Sequence, residues 1–403
     1  MDLTEFFSIQ SSLIKAIPWP GSRFLKKKIN WDNRLLGIVG GRGTGKTTLL
    51  LQHIAENDKG DQRHLYISAD HIHVQATGLY EIAASFFRLG GETIVIDEIH
   101  KYRGWHQEVK NLYDAFPAAK IYFSGSSILA LQKGKGDLSR RAVFYTLPGL
   151  SFREYLYFAH GLAFEPVNLP DLLKNHPAMA FRILEEGAIL GLFRDYLDHG
   201  VYPFFLEGID EYHHKLSNVI EKVLYEDIPV ATGTKTANVP ALKRILWLLA
   251  TSQPFAPNIE KMSRDLKISK AYIYTYLDFL ERARLLSGFL PAETGYRLVR
   301  KPAKIYMENP NLIRQVVGEI GSKEQLGAVR ETFFAHQTKS AGMNVHIPTK
   351  ADFLVDDMYL FEIGGKGKGK AQIRDTPNAF VVRDDIEVGS GNIIPLWLFG
   401  FLY

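Results

Sequence analysis

Apolar positions along the chain follow two regimes. Up to about residue 150, continuous apolar runs alternate with stretches of helical spacing. Residues 35–40 (LLGIVG), 64–70 (HLYISAD), 93–100 (TIVIDEIH), 120–127 (KIYFSGSS) and 142–148 (AVFYTLP) read as strands. A strand covered on both faces needs such unbroken apolarity. Between them, 46–57 (KTTLLLQHIAEN) and a segment near 105–115 read as helices. Leu79, Ile82, Ala83 and Phe86 recur at helical spacing and stop at Gly90-Gly91. Strands and helices in alternation predict a parallel α/β sheet with helices on both faces. From Ser151 to about Val230 the pattern turns helical, with a break at HGVYPFF (199–205). Residues 240–300 hold three short helical patterns, followed by LLSGFLPAETGYRLV, which resembles a two-stranded wing. After Lys304 a second α/β pattern begins, with a helix around 325–338, a hairpin over 351–365 and a final apolar strand near NIIPLWLFGFLY.

Composition narrows the class. The 403 residues are 46% hydrophobic and 23% charged, ordinary values for a soluble globular protein. No apolar run reaches the ~18 residues of a membrane span. The amphipathic N-terminus carries Asp2 and Glu5 and makes a poor secretory signal. Cysteine is absent, which excludes disulfides and thiolate sites. A cytoplasmic protein is expected. The net charge of +4 is too small to imply nucleic acid by itself. Neither His71/His73 nor His213/His214 has a partner pair at zinc-site spacing.

One motif carries specific chemistry. Gly40-x-x-x-x-Gly45-Lys46-Thr47 follows a predicted strand and opens a predicted helix, the context of a phosphate-binding loop. Glycines such as Gly43 let backbone N–H groups curl around phosphate, and the helix adds its own free amides. The cofactors expected are ATP and Mg²⁺. The ATP-binding residues are Gly40, Gly43, Thr44, Gly45, Lys46, Thr47 and Thr48, with Lys46 on the β- and γ-phosphates and the Thr47 hydroxyl on the metal. Asp97 ends an apolar strand at the sheet edge where α/β ligands bind, and would support the same metal. Its neighbour Glu98 would orient and polarise the attacking water.

The stretches GRGTGKTT, IDEIHK, YFSGSS, LSRRAVFYTLPGLSFREYL and HGVYP resemble prokaryotic AAA-superfamily ATPases of the archaeal-ATPase type. Later stretches, RKPAKIYMENPNL, LGAVRETFFAHQ and ADFLVDD with FEIGGK, fit the C-terminal domain of that group. The resemblance implies a polar γ-phosphate sensor within 124–126, assigned to Ser126. It also implies a functional arginine at Arg141, where the family's Gly-Arg pair is replaced by Arg140-Arg141.

Two further regions bear on partners. In 258–286 a helix, a turn and a second helix are predicted, with Ser269 as N-cap and Ile273, Leu277 and Leu280 on the buried face. Lys270, Tyr272 and Thr275 would face solvent, where a recognition helix reads DNA. Between Asn258 and Lys304 there are ten Lys/Arg and five Asp/Glu, so double-stranded DNA is one candidate partner and a protein is another. The second Gly/Lys stretch, 364–370, imitates a phosphate loop, but Ala371 replaces the required hydroxyl and Pro377 forbids a long following helix. With the preceding strands, Asp352 and Glu362 across a hairpin resemble the core of restriction-endonuclease-like domains. The resemblance implies two carboxylates holding Mg²⁺ and a lysine activating water, with Glu331 as a third acid. Gly364 stands at the usual lysine position, so Lys366 would serve from the loop. Register decides the matter. A two-residue turn at Asp356-Asp357 pairs Asp352 with Phe361, whereas one extra residue pairs it with Glu362.

The fold class expected is α/β: a P-loop NTPase parallel sheet (1–160), a helical lid (161–238), a winged helix (239–304) and a restriction-endonuclease-like α/β domain (305–403). Three functions stay open: a nucleotide-driven switch coupled to DNA, an ATP-gated nuclease, and a slow switch that binds a protein.

Overall fold

The computed structural model describes residues 2–17, 21–58, 60–125, 138, 140–254, 257–292, 302–322, 324–369, 373 and 376–403. The chain divides into two compact units, one of residues 1–148 and 226–233, the other of residues 149–225 and 234–403.

In the first unit, β1 (Leu35–Val39), β2 (His64–Ser68), β3 (Thr93–Asp97), β4 (Lys120–Gly125) and β5 (Val143–Thr146) form a parallel sheet in the order β2-β3-β4-β1-β5. Alternate strand residues feed two apolar clusters. Leu35, Leu65, Ile94 and Phe123 enter one, and Leu36, Ile38, Val95 and Tyr122 enter the other. Burial on both faces is the reason these strands read as unbroken apolar runs. At the β2 edge, Gln10 from the helix Thr4–Lys15 accepts from Tyr66 N (2.7 Å) and donates to His64 O (3.1 Å). Its amide thereby satisfies backbone groups that an edge strand leaves open.

The second unit starts with the helix Phe152–His160, opened by a capping box between Ser151 and Glu154. Phe152, Phe193, Tyr196 and Phe333 meet edge to face and tilted in its core. Asn311 saturates its amide there. Nδ2 donates to Tyr196 O and Leu197 O, and Oδ1 accepts from Val201 N and the Tyr212 hydroxyl. Helices Val239–Thr251, Ile259–Leu266 and Lys270–Arg282 lead into the antiparallel pair β6 (Leu286–Phe289) and β7 (Lys304–Met307). A second sheet holds β8 (Val345–His346), β9 (Phe353–Val355), β10 (Tyr359–Gly364), β11 (Ala379–Arg383) and β12 (Ile393–Pro395). It is mixed, with β10, β11 and β12 parallel and β8 and β9 antiparallel to their neighbours.

The C-terminal apolar segment corrects the sequence reading. Its strand spans three residues, and Leu396–Phe401 is a 3₁₀ helix with all six residues buried. A segment buried on every side shows no period from which its conformation can be read.

Candidate functional site

The loop after β1 takes its shape from glycine. Gly43 and Gly45 have φ of 83° and 89°, values that L side chains rarely adopt. A Cβ on Gly40 would stand 2.3 Å from Leu147 O. Helix Lys46–Asn57 starts directly from this loop. Arg23, fully buried, braces the loop by donating to Thr44 O (2.6 Å) and Pro148 O (2.8 Å). The Thr44 hydroxyl donates to Gly41 O, and Thr48 is half-buried behind it.

Lys46 is buried and folds back, its ammonium donating to Gly41 O at 2.7 Å and Gly40 O at 3.3 Å. Burial pulls its pKa down, against the attraction of Glu98 and Asp97. Asp97, at the end of β3, collects three hydroxyls. Thr47 donates to Oδ2 at 2.6 Å, Tyr66 donates to Oδ2 at 2.9 Å, and Ser124 donates to Oδ1. Burial raises the Tyr66 phenol, as does Asp97, so it stays a neutral donor. Hydroxyl and carboxylate oxygens at one end of the sheet are the hard ligands that suit Mg²⁺.

Glu98 adopts left-handed backbone (φ 50°, ψ 37°), a strained state for a non-glycine residue. Its Oε2 lies 3.5 Å from Nε2 of His100, which is itself 4.0 Å from Asp227 Oδ1. Burial lowers the His100 pKa despite both acids. Asp227 also accepts from Arg42 of the loop, at 3.3 Å (Nε) and 3.1 Å (Nη2).

Two expected residues stand apart. Ser126 lies outside the described residues, and the β4 residue that touches Asp97 is Ser124. Arg141 pairs with Asp114 at 3.2 Å, its guanidinium 6.0 Å from the Tyr113 ring.

In the second unit a separate cluster forms. β9 and β10 pair Val355 with Tyr359 and Phe353 with Phe361. The connecting loop is therefore 356–358, not the two-residue turn, and the same register sets Asp352 opposite Glu362. Left-handed backbone at Asp356 and Asp357 (φ 51° and 54°) makes this loop possible. Asp352 Oδ2 accepts from Ile363 N at 2.9 Å. Glu331, on helix Leu326–Ser340, accepts from the Tyr306 hydroxyl (2.9 Å) and Lys304 Nζ (3.2 Å), while Lys304 reaches Asp352 Oδ1 at 3.4 Å. Burial, then Asp352, raises the Glu331 carboxyl. Lys368 pairs with buried Glu362. Lys366, the lysine expected here, is exposed; the Gly/Lys loop turns back at Gly365, where Lys368 N donates to Gly365 O.

Residues 32–156 match the AAA domain family. This part of the chain is similar to AAA domains. Its five-stranded parallel sheet is the type found in P-loop nucleotide-binding proteins. Residues 190–322 match a domain of unknown function, DUF8612. The uncharacterized protein MJ1637 of Methanocaldococcus jannaschii is 28% identical over 421 aligned positions, covering 94% of this chain and 87% of that one. The Walker-type ATPase PABY2304 of Pyrococcus abyssi is similar at TM-score 0.40 and 14% identity, over 71% of this chain and 91% of that chain. AMPPCP-bound DnaA of Aquifex aeolicus is similar at TM-score 0.28 and 14% identity, over 69% and 88%. Among the described residues no helix is long and apolar enough to cross a membrane.

Sequence reasoning missed several residues around the glycine loop: Arg23, Arg42, Tyr66, His100 and Asp227. Arg42 lies inside the loop motif and His100 two residues past Glu98, so proximity could have flagged both. Asp227 lies 185 residues from its partner Arg42, and no local signal announces it.

Proposed function

We propose that the AAA domain binds ATP with Mg²⁺ and hydrolyses it, and that the chain works as a nucleotide-driven switch. The meeting of the Thr47 hydroxyl and the Asp97 carboxylate at 2.6 Å carries this reading. The first comes from the loop after β1 and the second from the end of β3, so two separate motifs converge where phosphate and metal would sit. On this reading Lys46 neutralises the β- and γ-phosphates, and Thr47 and Asp97 hold the metal. Bound Mg²⁺ supplies charge stabilisation to the phosphoryl oxygens. Glu98 accepts the proton of the attacking water, and Ser124, beside Asp97, would sense the γ-phosphate within the range 124–126 that the family resemblance implies. The test is Mg-ATP hydrolysis by wild type and Glu98→Gln, with and without duplex DNA at low salt. Turnover that disappears in Glu98→Gln while ATP still binds supports the proposal. Absence of hydrolysis in wild type refutes it.

DNA coupling would run through residues 239–304 as a winged helix. Lys270, Tyr272 and Thr275 are exposed on the second predicted helix while Ile273, Leu277 and Leu280 are buried. Lys270 is already paired with Glu260 at 2.6 Å, which weakens it as a phosphate contact. A rise in turnover with duplex DNA, falling steeply with salt, supports this coupling. A rate blind to DNA favours a protein partner.

A second reading rests on the convergence of Glu331, Asp352 and Glu362 with Lys368. Three carboxylates and a lysine could hold Mg²⁺ and activate water for phosphodiester cleavage. It requires Mg²⁺-dependent nicking that is lost in Asp352→Ala and in Glu362→Ala. Cleavage that persists in both variants rules these residues out.

A further inference from the structure

Asp227 is an anion buried where anions are expected to bind. Its side chain is 5% exposed, and it grips the Arg42 guanidinium through both carboxylate oxygens. Arg42 belongs to the glycine loop itself, near enough to Lys46 and Glu98 for each to feel its charge. Asp227 in turn acts on Lys46 and stands 4.0 Å from His100, the imidazole that also faces Glu98. Cations Arg42 and Lys46 and acids Asp97, Glu98 and Asp227 therefore share one small volume. With no phosphate present, Asp227 neutralises a loop arginine that would otherwise repel Lys46. Once a polyphosphate enters, the same carboxylate repels it, and the phosphate oxygens offer Arg42 a bidentate partner of higher charge.

The backbone that carries Asp227 is irregularly wound. Pro229 cannot donate a hydrogen bond to the preceding turn, and the chain answers with a π-helical turn, Val223–Asp227, before the short helix Ile228–Thr232. That helix ends on Gly233, in left-handed conformation at φ 74°. A π turn can relax to α by shifting one residue, and such turns are frequent at functional sites. Residues 226–233 are flanked on both sides by chain of the second compact unit.

We propose that Asp227 is a positioning residue of the nucleotide site that competes with nucleotide phosphate for Arg42, so that filling the loop frees residues 226–233. This rests on the reading of the AAA domain as an ATP site. The covalent attachment of 226–233 then gives the nucleotide state a direct mechanical connection to the rest of the chain.

The experiment uses the full chain and a non-hydrolysable ATP analogue with Mg²⁺. Affinity is measured by calorimetry for wild type, Asp227→Asn and Lys46→Ala, and amide hydrogen exchange is followed in peptides covering 226–233. Replacing a charge-assisted pair by a weaker neutral contact should tighten analogue binding roughly tenfold in Asp227→Asn. A loss of packing alone would not raise affinity. In wild type, the 226–233 amides should exchange faster when the analogue is bound. Binding in Asp227→Asn that is equal to or weaker than wild type overturns the proposal. Unchanged exchange of 226–233 in analogue-bound wild type also overturns it, and this second arm does not depend on the variant folding. If wild type binds no analogue, the ATP reading itself falls and this inference with it. If wild type binds, Lys46→Ala does not, and 226–233 stays protected, only the competition is wrong.

Discussion

Tyr66→Phe removes a single oxygen from a buried ring and tests whether the Asp97 carboxylate must be held in place. Asp97 Oδ2 accepts from two hydroxyls, Thr47 at 2.6 Å and Tyr66 at 2.9 Å, and Oδ1 accepts from Ser124. Tyr66 is only 5% exposed, and the space left by a hydroxyl oxygen is too small to admit a replacement water. A hydrogen bond to a charged acceptor contributes about 1.5–3 kcal/mol. If the Thr47 hydroxyl turns towards the metal when nucleotide binds, Tyr66 becomes the remaining donor fixing that oxygen. The whole loss then falls on the reacting state, and kcat should drop about 10- to 100-fold. Phosphate release is measured across a Mg²⁺ titration, with urea unfolding alongside. The expected outcome is a lower kcat and a higher Mg²⁺ requirement. Because burial and Asp97 keep the phenol protonated, the gap between wild type and variant should stay constant from about pH 6 to about pH 9, below the ordinary phenol pKa of about 10. A variant that loses stability by about 1.5–3 kcal/mol while kcat and Mg²⁺ dependence are unchanged would refute the reasoning.

Three other outcomes are expected. Gly40→Ala sets a Cβ 2.3 Å from the backbone oxygen of Leu147; the loop must shift, and nucleotide affinity measured by calorimetry should fall at least about tenfold. Asn311→Ala strands Val201 N and Leu197 O in the core and leaves the Tyr212 hydroxyl without its acceptor, while Tyr196 O keeps Gly200 N; urea unfolding should register a loss of about 2–4 kcal/mol. His336 is buried and its pKa is pushed down to about 4, chiefly by burial. The unfolded chain binds that proton first, so stability is complete above about pH 6.5 and falls as pH drops towards 4. Between pH 7 and 5 the loss from this residue is about 2 kcal/mol, and a stably folded His336→Gln should flatten that part of the unfolding profile.

The first sheet was legible for a physical reason. Its strands are buried on both faces, so LLGIV and TIVID announce themselves by apolarity alone, and the loop between strand and helix needs glycines at fixed spacing. Lys46, Thr47, Asp97 and Glu98 could thus be named without coordinates. At the C-terminus the same reasoning failed, because Leu396–Phe401 is apolar all round and therefore carries no period. The hairpin register was legible only as a choice between two turns, since a one-residue difference in the loop costs little locally but sends Glu362 to opposite faces.

Taken alone, the sequence determined the strands and helices of the first sheet, the glycine loop and the acidic strand end, because each depends on residues adjacent in the chain. Tertiary structure decided which hydroxyls share Asp97, that Lys368 and Lys304 rather than Lys366 enter the second acid cluster, and that Asp227 holds Arg42. Apart from Lys368 and its near neighbour Glu362, those pairings bring together residues dozens to nearly two hundred positions apart, and only folding closes the loops between them. Buried charge needs a partner wherever the chain can supply one, and spacing along the sequence does not record where that partner lies.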